Sequence, residues 1–332
     1  MKNKSTAVVT GGGGFIGSHM VDILLENNFK VIVVDNFSGG HEKNLKHHIN
    51  NNLLSVEKAD ICDESLSHKI FSEAEYVFHF AGIGDIVPSI ENPINYLKTN
   101  VQGTVNILEL SRNNNLKKFI YAASSSCYGL ANTPTTEMNE ISPLYPYALS
   151  KFQGEQCALH WNNVYKLPVN SMRIFNAYGT RVRTTGAYGA VFGVFLKQKI
   201  ENKPLTVVGD GSQTRDFLYV TDVARGFFAS ALSNKTGNIY NIGAGNPQSI
   251  NKLTKLIGGK VEYLPKRPGE PDCTWADINK IKKDLDWKPQ ITFEEGVKKM
   301  IEDIDSWKDA PLWDKDNIDK ATKTWFKYMS DK

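Results

Sequence analysis

Short apolar runs, each followed by a turn and often by a helical stripe, dominate the first half of the chain. The runs are rich in Val, Ile and Phe and too short for helices, which favours strands buried in a parallel sheet. Apolar spacing between 93 and 112 predicts one long helix with a single buried face. This alternation predicts an α/β fold with a doubly wound parallel sheet. The predicted strands are Thr6–Val9, Lys30–Val34, Leu53–Val56, Tyr76–Phe80, Lys118–Ala122 and Val169–Phe175.

The first strand runs into a glycine-rich turn, Thr10-Gly-Gly-Gly-Gly-Phe-Ile-Gly17, and a helical stripe starts directly after it. Glycine at such a turn lets the backbone approach a pyrophosphate closely, and the helix N-terminus favours the anion. Two registers fit the run, Gly11/Gly14/Gly17 and Gly12/Gly14/Gly17, and spacing alone does not choose between them. The turn therefore predicts a dinucleotide site.

An aspartate at the end of the second strand narrows the choice of dinucleotide. Asp35 lies 18 residues after Gly17, where a carboxylate accepts hydrogen bonds from ribose hydroxyls and repels a 2′-phosphate. NAD is therefore favoured over NADP. After the third strand comes Asp60-Ile61, where Ile61 has the shape to pack against adenine and Asp60 equally fits a solvated loop.

Composition excludes several classes of partner. The chain has 332 residues, 41% of them hydrophobic, and a net charge of +3 with dispersed basic residues, which argues against nucleic acid. Its four cysteines form no Cys-x-x-Cys pair, which argues against zinc and disulfides. The first apolar run stops at Gly11, too short for a signal peptide, and no later run is long enough to span a membrane. A cytoplasmic protein without a metal or membrane partner is expected.

Tyr147 and Lys151 are candidates for acid/base chemistry. Pro146 can open a helix because its missing amide would be unpaired there, so Tyr147 and Lys151 share one helical face. A cation beside a phenol favours the phenolate and lowers its pKa from about 10. The pattern is weak, since it recurs at Tyr328 and Lys332, and the rest of the chain has to decide.

Polar and small residues mark the ends of two central strands. Ser124 follows the fifth strand, at the edge where ligands bind in open α/β sheets. Ala81–Gly82 follows the fourth strand and would let a ligand lie against the backbone. His79, within that apolar strand, is interpreted as a satisfied core histidine. Asn100 interrupts the apolar face of the long helix and is either bonded to backbone or exposed.

Six segments occur in order: the glycine turn, Asp35-Asn36, Asp60-Ile61, His79-Phe-Ala-Gly82, the serine run before Tyr128-Gly129, and Tyr147-x-x-x-Lys151. Together they resemble the extended short-chain dehydrogenase/reductases, and most closely the UDP-glucose 4-epimerase group. The resemblance implies a Rossmann-type NAD fold, the register Gly11/Gly14/Gly17, a homodimer, and catalysis by Ser124, Tyr147 and Lys151. The implied NAD contacts are Gly11, Gly14, Phe15, Ile16, Gly17, Asp35, Asn36, Asp60, Ile61, Phe80, Ala81, Gly82, Asn100, Tyr147 and Lys151.

The residues after the fifth strand separate subclasses of this family. In the related 4,6-dehydratases a glutamate stands at the place of Ser126 and removes a C5 proton, whereas this chain has no carboxylate there. In GDP-mannose 3,5-epimerases a catalytic cysteine holds that place. Here the thiol is Cys127, one residue later, and on an extended segment it would face the opposite side, so it is interpreted as packing.

The second half carries the substrate contacts that the resemblance implies. Asn176 would bond the sugar nucleotide, Arg215 and Arg267 the pyrophosphate, and Glu270 the uridine ribose. Thr274 stands where these epimerases guard the sugar pocket, and its small side chain would admit N-acetyl groups. UDP-GlcNAc/GalNAc is thus a credible substrate pair beside UDP-glucose/galactose. The implied substrate-binding residues are Ser125, Ser126, Asn176, Arg215, Arg267, Glu270 and Thr274.

Three features depart from the family pattern. Asp85 adds a carboxylate where many relatives have a lysine nearby, and it would be unfavourable beside a pyrophosphate. Arg181 and Arg183, followed by Thr184 and Thr185, face a phosphate, a sugar carboxylate or water. An aromatic tail beyond residue 305 is compatible with an amphipathic helix that docks on the body or on another subunit.

We therefore expect a Rossmann domain over residues 1–175, with returning segments from about 210–245, and a smaller C-terminal α/β substrate domain over 176–332. The predicted activity is inversion at C4 of a UDP-hexose through a transient 4-keto sugar. A nucleotide-sugar dehydratase or decarboxylase with an atypical base is the enzymatic alternative. A non-catalytic NAD-binding sensor is the second, and the presence of all three catalytic residues disfavours it.

Overall fold

Thirteen strands are present in the part of the chain that the structure, a computed structural model, describes: residues 4–63, 66–112, 115–184 and 191–329. In chain order they are β1 (Thr6–Thr10), β2 (Lys30–Asp35), β3 (Leu54–Lys58), β4 (Tyr76–His79), β5 (Lys118–Ser124), β6 (Val169–Ile174), β7 (Ala177–Tyr178), β8 (Leu205–Val208), β9 (Thr214–Arg215), β10 (Leu218–Tyr219), β11 (Asn238–Ile242), β12 (Gln248–Ser249) and β13 (Val261–Leu264). Seven form one sheet in the order β11-β6-β5-β4-β1-β2-β3. Every neighbouring pair in it is parallel, which confirms the predicted doubly wound Rossmann-type sheet.

Helices cover both faces of this sheet. In chain order, the α-helices of the described residues are α1 (Phe15–Glu26), α2 (His68–Phe71), α3 (Ile86–Glu91), α4 (Pro93–Leu97), α5 (Gly103–Arg112), α6 (Pro146–Tyr165), α7 (Val191–Ile200), α8 (Val220–Leu232), α9 (Ile250–Ile257), α10 (Asn279–Leu285), α11 (Phe293–Glu302) and α12 (Lys315–Met329). Among the described residues, no helix is both long and apolar enough to cross a bilayer.

Both faces of the sheet are apolar. Successive residues of a strand point to opposite faces, so an unbroken apolar run supplies apolar side chains to each face. In β1, Val9 joins the cluster that includes Met20 of α1 and Phe227 of α8. Its neighbour Val8 joins the opposite cluster with Ile107 of α5 and Ala158 of α6. The unbroken apolar runs of the sequence thus become a sheet that is covered on both sides.

A second body follows the large sheet. It packs around Tyr178, Phe217 and Phe293, with α7, α9 and α11 over the parallel pair β8–β13. Helix α8 and strand β11, which lie within about 210–245, return from the second half of the chain to the large sheet, and α10 also packs there. These separate cores support the proposed division into a cofactor domain and a smaller substrate domain.

The long predicted helix is interrupted. Between α4 and α5 lies a π-helical turn, Lys98–Gln102. The regular apolar spacing of the sequence predicted a continuous α-helix there and gave no sign of this turn. Such a turn widens the helix by one residue and is frequent at functional sites. Asn100 lies at its centre and is 1% exposed.

Candidate functional site

The glycine turn has close contacts that explain its sequence. Gly11 has φ +70°, and a Cβ there would lie 2.7 Å from the Ala81 amide nitrogen. At Gly17 a Cβ would lie 2.1 Å from the Gly11 carbonyl oxygen. Gly14 begins α1, and no side chain among the described residues caps that helix start. The backbone contacts at Gly11, Gly14 and Gly17 support the register implied by the resemblance, and the uncapped amides suit an anion.

Asp35 lies at the mouth of this turn and is 7% exposed. Its carboxylate accepts hydrogen bonds from the backbone amides of Gly13 (2.8 Å) and Phe37 (2.8 Å). Next to it, the Asn36 amide donates to the Asp60 carboxylate at 2.9 Å, and the Cys62 backbone amide lowers the pKa of Asp60. Two predicted NAD contacts, Asn36 and Asp60, are therefore joined directly, and the carboxylates are held at the end of the sheet.

Ile61 and Phe80, two predicted NAD contacts, both pack against other residues of the chain. Ile61 is 5% exposed, and a Cβ at Gly103 would lie 2.6 Å from its Cδ1. The Phe80 ring lies 4.6 Å from that of Phe227 on α8. Both side chains therefore have a packing role in the structure, and their contact with NAD stays a prediction.

Asn100 clamps the loop after β4. Its Oδ1 accepts from the Ile83 amide at 2.8 Å, while its Nδ2 donates to the Ile83 carbonyl at 3.0 Å and to Ser150 Oγ at 2.9 Å. A Cβ at Gly82 would lie 2.8 Å from Asn100 Oδ1. Of the two alternatives that the sequence left open, bonding to backbone is the one observed, and it ties the predicted NAD loop to α6.

His79 has the core role that the sequence predicted. It is 1% exposed, and its Nδ1 and Nε2 share hydrogen bonds with Thr10 Oγ1 (2.6 Å) and Thr104 Oγ1 (2.9 Å). Burial lowers its pKa to about 3, which keeps the ring neutral. It is a satisfied structural group rather than an acid or base.

The three predicted catalytic residues come from β5 and α6. Ser124 ends β5, and Pro146 is the first residue of α6, so Tyr147 lies in its first turn and Lys151 one turn later. The Ser124 hydroxyl faces the Tyr147 phenol and lowers the pKa of that phenol. Lys151 is 7% exposed, with its Nζ 4.6 Å from the centre of the Tyr121 ring. A hydroxyl, a phenol and a buried amine therefore meet at the carboxyl end of the sheet.

The pKa of Tyr147 does not follow the predicted direction. Burial is the largest influence and raises the pKa of the phenol, while the hydrogen bond from Ser124 lowers it. Burial also lowers the pKa of Lys151 to about 8, and the negative charge of Glu155 opposes that shift. The predicted lowering was wrong for the protein alone, because desolvation of the phenol outweighs the opposing influence of the Ser124 hydroxyl.

A buried network behind the triad escaped the sequence interpretation. Arg173 Nη2 donates to Glu155 Oε1 at 2.6 Å, and its Nη1 donates to the Tyr128 hydroxyl at 2.7 Å. Ser171 Oγ donates to Glu155 Oε2 at 2.8 Å. Glu155 lies on α6 four residues after Lys151, and that spacing was the signal available in the sequence. The network fixes α6 against β6 and against the turn Ser125–Tyr128.

Cys127 is confirmed as a packing residue, although the reason differs from the predicted one. The segment Ser125–Tyr128 is a 3-10 turn rather than extended, and Ser124 Oγ accepts from the Ser126 amide at its start. Cys127 is 2% exposed, and burial raises the pKa of its thiol to about 12. Ser126 Oγ shares a 2.8 Å hydrogen bond with Ser124 Oγ. A serine, not an acid or a thiolate, is thus beside Ser124.

Two arginines and one carboxylate predicted to bind the nucleotide lie together. Arg215, 8% exposed, donates from Nη2 to Glu270 Oε1 at 2.8 Å. Arg267 Nη1 lies 3.9 Å from Glu270 Oε2. Two guanidinium groups around one carboxylate leave a net positive charge, which suits a pyrophosphate.

Asn176 and Thr274 are joined by a hydrogen bond. Thr274 Oγ1 donates to Asn176 Oδ1 at 2.6 Å and accepts from the Asp216 amide at 3.1 Å. The buried Asp216 carboxylate in turn accepts from the amides of Ala244 (2.7 Å) and Ala276 (2.8 Å). The predicted pocket residue is therefore fixed to the predicted sugar contact, and Asp216 was missed by the sequence interpretation.

The two loop arginines face different partners. Arg181 Nη1 lies 2.7 Å from Asp22 Oδ2 on α1, away from the triad. Arg183 Nη1 lies 3.8 Å from Asp85 Oδ2. The charge of Asp85 contributes to raising the pKa of Tyr147, so this pair faces the catalytic side. Thr185, predicted beside these arginines, lies outside the described residues.

Comparisons with known proteins agree with this geometry. A family model described as GDP-mannose 4,6 dehydratase matches residues 8–300. A UDP-glucuronate 4-epimerase of Thermodesulfobacterium geofontis is 36% identical over 327 residues, 94% of this chain and 97% of that protein.

Two solved structures are similar over nearly their whole length. One is a UDP-N-acetylglucosamine 4-epimerase of Methanobrevibacter ruminantium in complex with UDP-N-acetylmuramic acid. Its TM-score is 0.86 at 33% identity, over 92% of this chain and 99% of that one. The other is a UDP-glucuronic acid 4-epimerase of Bacillus cereus with UDP-glucuronic acid and NAD. Its TM-score is 0.85 at 31% identity, over 91% of this chain and 99% of that one.

Proposed function

The chain belongs to the NAD-dependent epimerase/dehydratase family, as its sequence predicted, and we propose that it is a UDP-sugar 4-epimerase. One observation carries this proposal above all others. Ser124 faces Tyr147, Lys151 lies one helical turn after Tyr147, and the side chain that hydrogen bonds Ser124 is another serine, Ser126, rather than an acid. The site can therefore move a proton at one oxygen but lacks a base for elimination.

The residues present fit NAD. The close glycine contacts leave no room for side chains, the start of α1 is uncapped, and Asp35 suits the ribose hydroxyls. Bound at these residues, NAD would supply a reversible hydride acceptor for C4 of the sugar. Asn100 holds the loop of Ala81 and Gly82 against α6, so this predicted NAD-binding loop has a fixed position.

The chain's own residues supply the proton chemistry. Tyr147 takes the proton of the sugar 4-hydroxyl and gives it back after inversion. Ser124 bonds the same oxygen and, through its hydrogen bond, favours the phenolate of Tyr147. Lys151, buried beside them, bonds the ribose of the cofactor and adds positive charge to the site.

A dehydratase is disfavoured by the side chains around Ser124. Its mechanism needs a group that removes the C5 proton. Cys127 is a neutral thiol because burial raises its pKa to about 12, and Asp85 is paired with Arg183. Cys127 is therefore not available as the base for that step, and Asp85 already has a charged partner.

Recognition of the nucleotide is assigned to the charged group around Glu270. Arg215 and Arg267 would grip the pyrophosphate, and Glu270 would bond the uridine ribose. Asn176 and Thr274 would face the sugar, with Ser125 and Ser126 beside it. The small Thr274 favours UDP-GlcNAc/GalNAc together with UDP-glucose/galactose.

A uronic acid is a second candidate sugar. Arg183 is half-exposed and lies 3.8 Å from Asp85 on the catalytic side, so a sugar carboxylate could replace Asp85 as its partner. Two of the similar proteins are named as glucuronate 4-epimerases.

A second copy of the chain would cover exposed apolar residues on α4 and α6. Ile94 is 77% exposed, and Leu97 and Leu149 are 37% and 39% exposed on the same pair of packed helices. This supports the expected homodimer. Ile94→Asp should convert a dimer to a monomer in light scattering, and a wild-type monomer would exclude the homodimer.

The cytoplasmic location stays a prediction.

One assay tests the activity. Purified protein is incubated with UDP-glucose, UDP-GlcNAc and UDP-glucuronate, with dTDP-, GDP- and CDP-sugars beside them, and the products are read by NMR. The proposal requires a 4-epimer from at least one UDP-sugar. A 4-keto-6-deoxy product would move the protein to the dehydratases, and binding of NAD without any turnover would favour the sensor.

A further inference from the structure

Helix α12 lies beyond the part of the chain that matches the family model, which ends at residue 300. Its buried side chains recur every three or four residues, which is the pattern of a helix with one docked face. They are Ile318, Thr322, Trp325 and Met329. The helix packs on its own chain, and the elements it meets carry proposed site residues.

The first contact is with the loop that holds Arg267 and Glu270. Trp325 Nε1 donates a 2.8 Å hydrogen bond to the carbonyl of Pro268, between those two residues. Gly269 has φ +68°, and a Cβ there would lie 3.2 Å from Met329 Cε. The helix therefore rests directly on the backbone of this loop.

The second contact is with the start of α6. The Trp325 ring lies 6.0 Å from that of Tyr145. Tyr145 stacks on Tyr147, with ring centres 6.4 Å apart and planes within 6°. Trp325 thus connects the loop around Glu270 to the segment that carries the catalytic phenol.

A third contact anchors the helix to the cofactor half. Thr324 Oγ1 donates to Glu91 Oε1 at 2.9 Å, at the end of α3. Asp85, the partner of Arg183, directly precedes the first residue of α3. The helix therefore bridges the two halves of the molecule across the proposed nucleotide site.

We propose that α12 holds the Arg267–Glu270 loop in its binding conformation, with Trp325 as the positioning residue. The proposal rests on the proposed function, because it assigns that loop to the UDP group. A loop that is ordered before binding loses less conformational freedom when the ligand arrives. Trp325 should therefore govern substrate affinity and leave the chemistry at Tyr147 largely unchanged.

The test compares three variants of the full-length, NAD-loaded protein. Trp325→Ala removes the ring and the hydrogen bond. Trp325→Phe keeps an aromatic ring but loses the N–H that bonds Pro268. Tyr328→Ala, on the same helix at a 57% exposed position, is the matched control. For each, KM and kcat are measured with the best UDP-sugar, and hydrogen exchange is followed between residues 266 and 272, at the amides of Lys266, Arg267, Gly269, Glu270 and Asp272.

Trp325→Ala should raise KM about tenfold with kcat within about twofold, and Trp325→Phe should raise KM by a smaller factor. Both should exchange faster at 266–272 than wild type, whereas Tyr328→Ala should match wild type. If Trp325→Ala does not fold, Trp325→Phe decides. Unchanged exchange, unchanged KM, or a loss confined to kcat would each overturn the positioning role.

Failure of the proposed function has a different signature. Wild type would then turn over no UDP-sugar, and UDP itself would show no binding by calorimetry. If wild type binds UDP without turnover, the affinity for UDP replaces KM, and equal affinities in wild type and Trp325→Phe reject the role of α12. If wild type does not bind UDP, the assignment of this loop falls with the proposed function.

Discussion

The cofactor half and the substrate half of this molecule fix their site residues in different ways. In the cofactor half, Asp35 ends β2 and Ser124 ends β5, two parallel strands of the same sheet, so the sheet itself places them. In the substrate half, side-chain bonds join residues far apart in sequence, such as Thr274 with Asn176 and Glu270 with Arg215. Position comes from the backbone in one half and from long-range polar contacts in the other.

This difference separates chemistry from selectivity. The proposed proton transfer depends on groups attached to the rigid sheet and to α6. The choice of sugar depends on a loop network in which Thr274 is one member. Changes in the first half should therefore remove activity, whereas changes in the second should redistribute it among substrates.

The largest effect is expected at Tyr147. Tyr147→Phe removes the only proton-transfer group proposed for the 4-oxygen, so the rate of C4 inversion should fall by about 10³-fold or more. Tyr328→Phe, in the chance repeat of the same pattern, should retain wild-type activity. Initial rates by NMR and circular dichroism of both variants check this. Full activity of Tyr147→Phe with an intact fold would exclude the assignment.

A smaller effect concerns the buried amine of the same half. Because burial lowers the pKa of Lys151 to about 8, the unfolded chain binds more protons than the folded one between about pH 8 and 10. Raising the pH through this window should stabilise wild type relative to Lys151→Met by about 2 kcal/mol. Below pH 8 the buried Lys151 amine is protonated, so the folded protein carries the full free-energy cost of burying that charge.

Urea unfolding of both proteins at pH 8 and pH 10 measures that difference. Lys203→Met, at an exposed position, controls for the loss of one positive charge. Identical pH dependence in wild type and Lys151→Met would mean that Lys151 is solvated, and the rigid, desolvated character of the cofactor half would be in doubt.

The smallest effect is expected at Thr274 and sharpens the contrast between the halves. Thr274→Tyr fills the pocket, so turnover of UDP-GlcNAc should fall about tenfold more than that of UDP-glucose. Thr274→Val keeps the volume but loses the bond to Asn176, and it should affect both sugars equally. The ratio of kcat/KM values for the two sugars is the measurement. Equal losses in Thr274→Tyr would reject the pocket assignment.

The same contrast explains what the sequence could predict. The sheet, the glycine turn and the helix of Tyr147 depend on local spacing, so each was found in the sequence. The bond between Trp325 and Pro268 and the ion pair of Arg173 with Glu155 depend on tertiary packing and have no local pattern. The pKa of Tyr147 was mispredicted for the same reason, since burial is known only once the chain is folded.

The central claim is that the site inverts C4 and leaves C5 untouched. The most direct measurement is the reaction of a UDP-sugar in D₂O, followed by ¹H NMR of the sugar ring. We expect a 4-epimer that keeps its original hydrogens at both C4 and C5, because Tyr147 exchanges only the hydroxyl proton. Deuterium at C5, or a 4-keto-6-deoxy product, would contradict it.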